Sequence, residues 1–161
     1  MITVIELNQK KEELVGKMKN VFSKFGFIEP MAVIICQDGK AFIMETPFSN
    51  EQEKQIIMAG VKALCRKFNA AAVAIINEAW VVEFDKEKFN QKDAEDMIKH
   101  VGGVKNMPKR KECAICCFET LYEQEMITFG IDRNGRVLTD EQRTTNVSGN
   151  FSNILSPVIK N

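Results

Sequence analysis

Apolar residues recur at two different periods along this chain, and the switch between them divides it into elements. Leu14, Met18, Val21, Phe22 and Phe25 fall at i, i+4, i+7, i+8 and i+11, which is one face of a helix. Gly26 follows and Pro30 lies just beyond, both residues that end helices. A hairpin is predicted next. "MAVIIC" and "KAFIME" flank "QDGK", and Asp38-Gly39 signals a two-residue turn whose central positions both need positive φ. "MAVIIC" is apolar throughout, as in a central strand or one covered on both faces.

The second helix has Ser49 as its predicted cap, with Gln52 at the capping-box position. Ile57, Val61, Leu64 and Phe68 form its apolar face, and Gly60 on that face would permit close contact with a sheet. "AAVAIINEAWVVEF" (71–84) reads as a long strand, apolar on both faces at first and polar in its middle. The charged stretch 85–108 holds a short helix from Gln91 to His100, ended by Gly102-Gly103. Strands follow at Arg110–Tyr122 and Glu125–Asp132. Asn134-Gly135 then marks a tight turn before a short return strand near Arg136–Thr139. The polar tail is expected to wrap the surface and dock Phe151, Ile154 and Leu155 on the core. Local hairpins dominate this order. They predict one α+β domain over 1–161: a mostly antiparallel sheet in two layers, with the helices packed on one face.

Three cysteines crowd into "KRKECAICCFET" (109–120), two of them in C-x-x-C spacing. On a strand Cys113 and Cys116 point to opposite faces and cannot easily clasp one ion. A structural zinc needs four ligands, and the chain has one histidine and no second C-x-x-C. A redox pair needs a setting that stabilises the thiolate, whereas the neighbours here are Ala, Ile and Phe. The strand-face reading is therefore preferred over metal and redox readings, and no metal or cofactor is expected.

Charge inside apolar strands is the better candidate for chemistry. Alternation places Glu78 and Trp80 on one face of their strand, and Arg110 and Glu112 on one face of theirs. If the two strands pair antiparallel, Arg110 or Lys111 stands beside Glu78. A carboxylate, a guanidinium and an indole could then form a ligand-binding corner. The preferred reading is a cross-strand salt bridge with a packed aromatic. Glu45, His100, Glu119 and Asp132 could join the cluster. His100 is a candidate acid or base, with an exposed helix-end histidine as the preferred alternative. The binding candidates are thus Trp80, Glu78, Arg110 and Glu112, and the catalytic candidates Glu78, Arg110 and His100.

Composition narrows the classes. Lysine plus arginine equals aspartate plus glutamate at 22 each, so there is no general attraction to nucleic acid or acidic membranes. Lys105, Lys109, Arg110 and Lys111 make a weak basic run, surrounded by Asp93, Glu95, Asp96 and Glu112 and lacking interleaved aromatics. The longest apolar run, Ala70–Ile76, is far shorter than the roughly 20 residues of a membrane span. Five cysteines without an export signal favour a reducing cytoplasm. Zero net charge favours self-association.

"AIINEAWVVE", then "PKRKECAICCFE", then "IDRNGRV" resembles a group of uncharacterised bacterial and phage-encoded proteins with a similar "EAW" strand, an "R-x-E" strand start and an "R-x-G" hairpin. The positions are Glu78, Ala79 and Trp80, then Arg110 and Glu112, then Arg133 and Gly135, within roughly residues 60–140. The loop at 85–108 is longer and more charged than that pattern implies. The resemblance implies an α+β fold and a bacterial or phage setting, and it supplies no mechanism. Three functions follow as expectations. The first is a small cytoplasmic, non-catalytic binding or accessory protein that self-associates, with Trp80 on a partner or dimer surface. The second is a small hydrolase or transferase with Glu78 as base and Arg110 holding an anion. The third is a phage assembly component.

Overall fold

The computed structural model describes residues 1–82, 84 and 87–145. In order these form α1 (Val4–Phe25), β1 (Met31–Cys36), β2 (Ala41–Glu45), α2 (Glu51–Lys67), β3 (Ala70–Val81), α3 (Gln91–His100), a 3-10 turn at Val104–Asn106, β4 (Lys111–Thr120), β5 (Gln124–Asp132) and β6 (Val137–Thr145). The six strands make one sheet in the order β2-β1-β3-β4-β5-β6, and every adjacent pair is antiparallel. The α+β class and the antiparallel sheet are as the hairpin order predicts. The last part of the expected tail, with Phe151, Ile154 and Leu155, lies outside the described residues.

The layering is corrected. The helices do not share one face. Leu7, Val15, Met18 and Phe22 of α1 pack with Val33 and Ile35 of β1, and with Ala74, Ile76, Cys116, Ile127 and Phe129. Met58, Val61 and Cys65 of α2 pack with Ala32 and Ile34, the alternate residues of β1, and with Val73 and Ile75. A strand apolar at every position needs cover on both sides, so α1 and α2 take opposite faces and the molecule has three layers here.

Local chemistry sets the ends. Thr3 caps α1 by accepting from the Glu6 N–H, and the Glu6 carboxylate accepts from the Thr3 N–H, a full capping box. Gly26 ends the helix in the left-handed region, φ 75°, and donates its N–H to the Phe22 carbonyl. The buried face is rotated from the expected one: Lys11 replaces Phe25, which is exposed. In α2 the cap is Asn50, one residue after Ser49, and Gly60 faces open space rather than the sheet. The β1–β2 turn also differs, because only Gly39 has positive φ. Gly39 donates to the Cys36 carbonyl and Cys36 donates to the Lys40 carbonyl, which is a three-residue loop with a left-handed third position. The return strand β6 runs to Thr145, longer than the pattern suggested.

Candidate functional site

β3 and β4 pair with Glu78 opposite Ala114 and Trp80 opposite Glu112. Glu78, Trp80 and Glu112 therefore share a face, as alternation requires, and it is the face that α1 covers. Arg110 does not close this cluster. Its guanidinium lies over the Trp80 ring, 5.1 Å from the centroid, and its Nη1 donates to the Met107 carbonyl at 3.1 Å. Lys111 stands opposite Val81. His100 is exposed in the last turn of α3, and no hydrogen bond or ion pair among the described residues joins it to Glu78 or Arg110.

The cation at the centre is Arg133, just after β5. Its Nη2 donates to Glu78 Oε2 at 2.8 Å and to Glu112 Oε1, and its Nη1 donates to the Gly26 carbonyl at 2.9 Å. The second oxygen of Glu78 accepts the backbone N–H of Ile28 at 2.8 Å. Hydrogen bonds to Glu112 and then Glu78 push the guanidinium further toward its charged form. One carboxylate on β3 thus holds the segment leaving α1, and one guanidinium ties that same segment to β3 and β4. Both Glu78 oxygens are engaged, so as arranged this is a clamp on the α1–β1 connection rather than a free base beside an anion holder. Sequence reasoning placed Arg133 only within the "R-x-G" hairpin. Its signal was parity, since Phe129, Ile131 and Arg133 continue one face of β5.

A second ionic cluster flanks α1 nearer its start. Lys11 Nζ donates to Glu125 Oε2 at 2.5 Å, with both side chains largely buried. Arg143 on β6 makes two bonds to Glu12, at 2.5 and 2.8 Å, and lies 3.5 Å from Glu125. Arg143 holds the Glu12 carboxyl below the usual range. Nothing in the helical periodicity exposed this cluster, because Lys11 occupies a buried position in an otherwise apolar stripe.

Cys113 and Cys116 do point to opposite faces: Cys116 belongs to the core beneath α1, while Cys117, four residues from Cys113 and so on its side of the strand, packs on the α2 side. All five cysteines are free thiols. Burial pushes Cys65 and Cys116 up to about 12 and Cys117 up to about 11, so none of these three supplies a thiolate near neutral pH.

An apolar concavity lies elsewhere, between α1 and the β2 edge of the sheet. It holds about 360 Å³. Val33, Ile35, Ile43 and Ile76 form its floor, Leu14, Met18 and Val21 one wall, and Lys10, Glu13 and Lys17 the rim. Ile43 on the edge strand β2 is 70% exposed. A scan against family models finds no match, and neither curated proteins nor solved structures yield one.

Proposed function

We propose that this chain is a small binding or accessory module without catalysis, and that its working surface is the groove between α1 and β2 with the open strand edge beside it. One observation carries the reading: an apolar groove, rimmed by charge, adjoins an edge strand whose central isoleucine is exposed. Backbone donors and acceptors next to an apolar groove suit an extended polypeptide, which adds as a strand and places alternate side chains in the groove. The cytoplasmic and bacterial or phage setting belongs to the same proposal, supported by the reduced cysteines and the strand motifs. Among the described residues no helix is long and apolar enough to cross a membrane.

The hydrolase or transferase reading has less support. It needs Glu78 as a base, and Glu78 is engaged by Ile28 and Arg133. Native mass spectrometry of the purified chain tests the choice. The expected spectrum shows retained polypeptide, the chain's own or another, which Ile43→Asp abolishes while circular dichroism stays unchanged. A retained small molecule that Glu78→Gln removes and Ile43→Asp does not would overturn the proposal in favour of the enzyme.

A further inference from the structure

We infer that the polypeptide taken by this edge is a second copy of the chain, joined β2 to β2 about a twofold axis perpendicular to the sheet. The inference rests on the binding-module reading and adds its partner and register.

The backbone fixes which residues can pair. Cys36 donates to the Lys40 carbonyl and Thr46 donates to the Pro30 carbonyl, so Lys40 and Thr46 direct their polar groups toward β1. Alternation gives Phe42 and Met44 the same direction. Ala41, Ile43 and Glu45 then direct theirs to the open edge. Two copies of β2 satisfy all of these groups in one antiparallel register, with Ile43 opposite the second copy's Ile43 and Ala41 opposite its Glu45. Each such pair exchanges two N–H···O bonds. A shift of two residues either way leaves an outward residue without its partner on β2.

The side chains fit the same register. Ile43 stands opposite Val33 and therefore on the α1 face, where the two isoleucines meet and the two grooves join. On the other face Phe42, stacked on Phe68 at 4.6 Å between centroids, meets the second copy's Met44. Charge agrees as well. Lys10 lines the groove together with Ala41 and also stands near Gln37, Asp38 and Gly39, so it sits over the Ala41 end. The second copy's Glu45, opposite Ala41 on that face, comes beneath Lys10, and the twofold axis repeats the pair. Among the described residues neither Lys10 nor Glu45 is held in an ion pair.

The two sheet edges differ in kind. β6 carries Asp140, Glu141 and Arg143, a register shift against β5, and a left-handed residue at Asp140, φ 51°. Those are devices that keep an edge from pairing. β2 has neither a bulge against β1 nor a left-handed residue.

Sedimentation velocity of the full chain over a range of micromolar concentrations tests the proposal. The wild type should dimerise. Lys10→Glu and Glu45→Lys should each raise the dissociation constant roughly tenfold, because each exchange acts twice across the axis. The double variant should return to within about twofold of the wild type by the same pairing. Ala41→Pro removes an outward N–H, which the fold tolerates at an edge, and should abolish the dimer. A wild type that stays monomeric overturns the inference. So does a dimer indifferent to Ala41→Pro and to both charge exchanges. If the wild type is monomeric yet Ile43→Asp still abolishes retention of another polypeptide, the second copy is wrong and the binding module stands.

Discussion

Removal of the Glu78 carboxylate should loosen one turn before it weakens the fold. Glu78→Ala leaves the Ile28 N–H, on a buried residue, without its acceptor. An unsatisfied buried donor costs about 1–3 kcal/mol. The Arg133 ion pair adds less, because the guanidinium is 42% exposed and water screens it, so about 0–1 kcal/mol is its share. The total is about 1–4 kcal/mol, centred near about 2 kcal/mol. Glu78→Gln keeps an oxygen for Ile28 and loses only the charge, so it should cost about 1 kcal/mol. Arg133→Ala should cost about the same, since water can reach the Gly26 carbonyl it releases. Urea unfolding gives these values as shifts in midpoint at constant slope. Amide exchange at Ile28 reads the local effect: about 2 kcal/mol is roughly a 30-fold acceleration in Glu78→Ala. Equal costs for Glu78→Ala and Glu78→Gln, with the Ile28 amide unchanged, would refute the clamp and return Glu78 to the list of available bases.

Lys11→Met should destabilise by about 2–3 kcal/mol in the same assay, below the 3–5 kcal/mol typical of a broken buried pair because Arg143 still faces Glu125. An unchanged midpoint would mean that the pair contributes nothing beyond packing. Stability should fall with alkali: an unfolded thiol ionises near about 8.5, and burial pushes Cys116 up to about 12, so the native state holds the proton between those values. The contribution is full below about pH 8.5 and declines toward pH 12, by up to about 1.4 kcal/mol per unit, and Cys116→Ala should flatten that slope. Trp80→Ala should leave self-association unchanged by sedimentation, because its exposed ring is stacked by Arg110 and lies away from the β2 edge. A weakened dimer would restore the Trp80 surface as the interface.

Much of the fold was legible because its signals are local. The 3.6-residue spacing marked α1 and α2, Gly26 marked the end of α1, and the charged pattern gave α3 its bounds at Gln91 and His100. Alternation gave the faces of β3 and β4 correctly. The errors came where two local rules competed. Asp38-Gly39 satisfies a two-residue turn by composition, yet Asp38 does not adopt positive φ and the loop takes three residues instead. Ser49 and Asn50 are both good caps, and Asn50 holds the Glu53 N–H while Glu53 reaches back to the Ser49 N–H. The layering was readable from "MAVIIC", whose unbroken apolar run demands cover on both faces. Taken with two long amphipathic helices, that demand places one helix on each side.

The candidate site was half legible for a reason that applies beyond this chain. Pattern reading finds residues that break a rule where they stand, and Glu78 and Glu112 do so as acids within apolar strands. It does not find the partner that repairs the break when that partner looks ordinary. Arg133 sits in a hairpin where arginine is unremarkable, while Arg110, nearer in sequence to Glu112, drew the assignment. The guanidinium that reaches the acids is the one whose strand also lies near the end of α1, because it can satisfy the Gly26 carbonyl at the same time. A free carboxylate would have been the mark of catalysis. The same logic locates the surface the clamp does not consume. α1 is held at its end by Glu78 and Arg133 and near its start by Glu125 and Arg143, both on the β3–β6 side of the sheet. Among the described residues no ion pair ties it toward β2, and there the groove lies beside a strand edge that pairs with no other described strand.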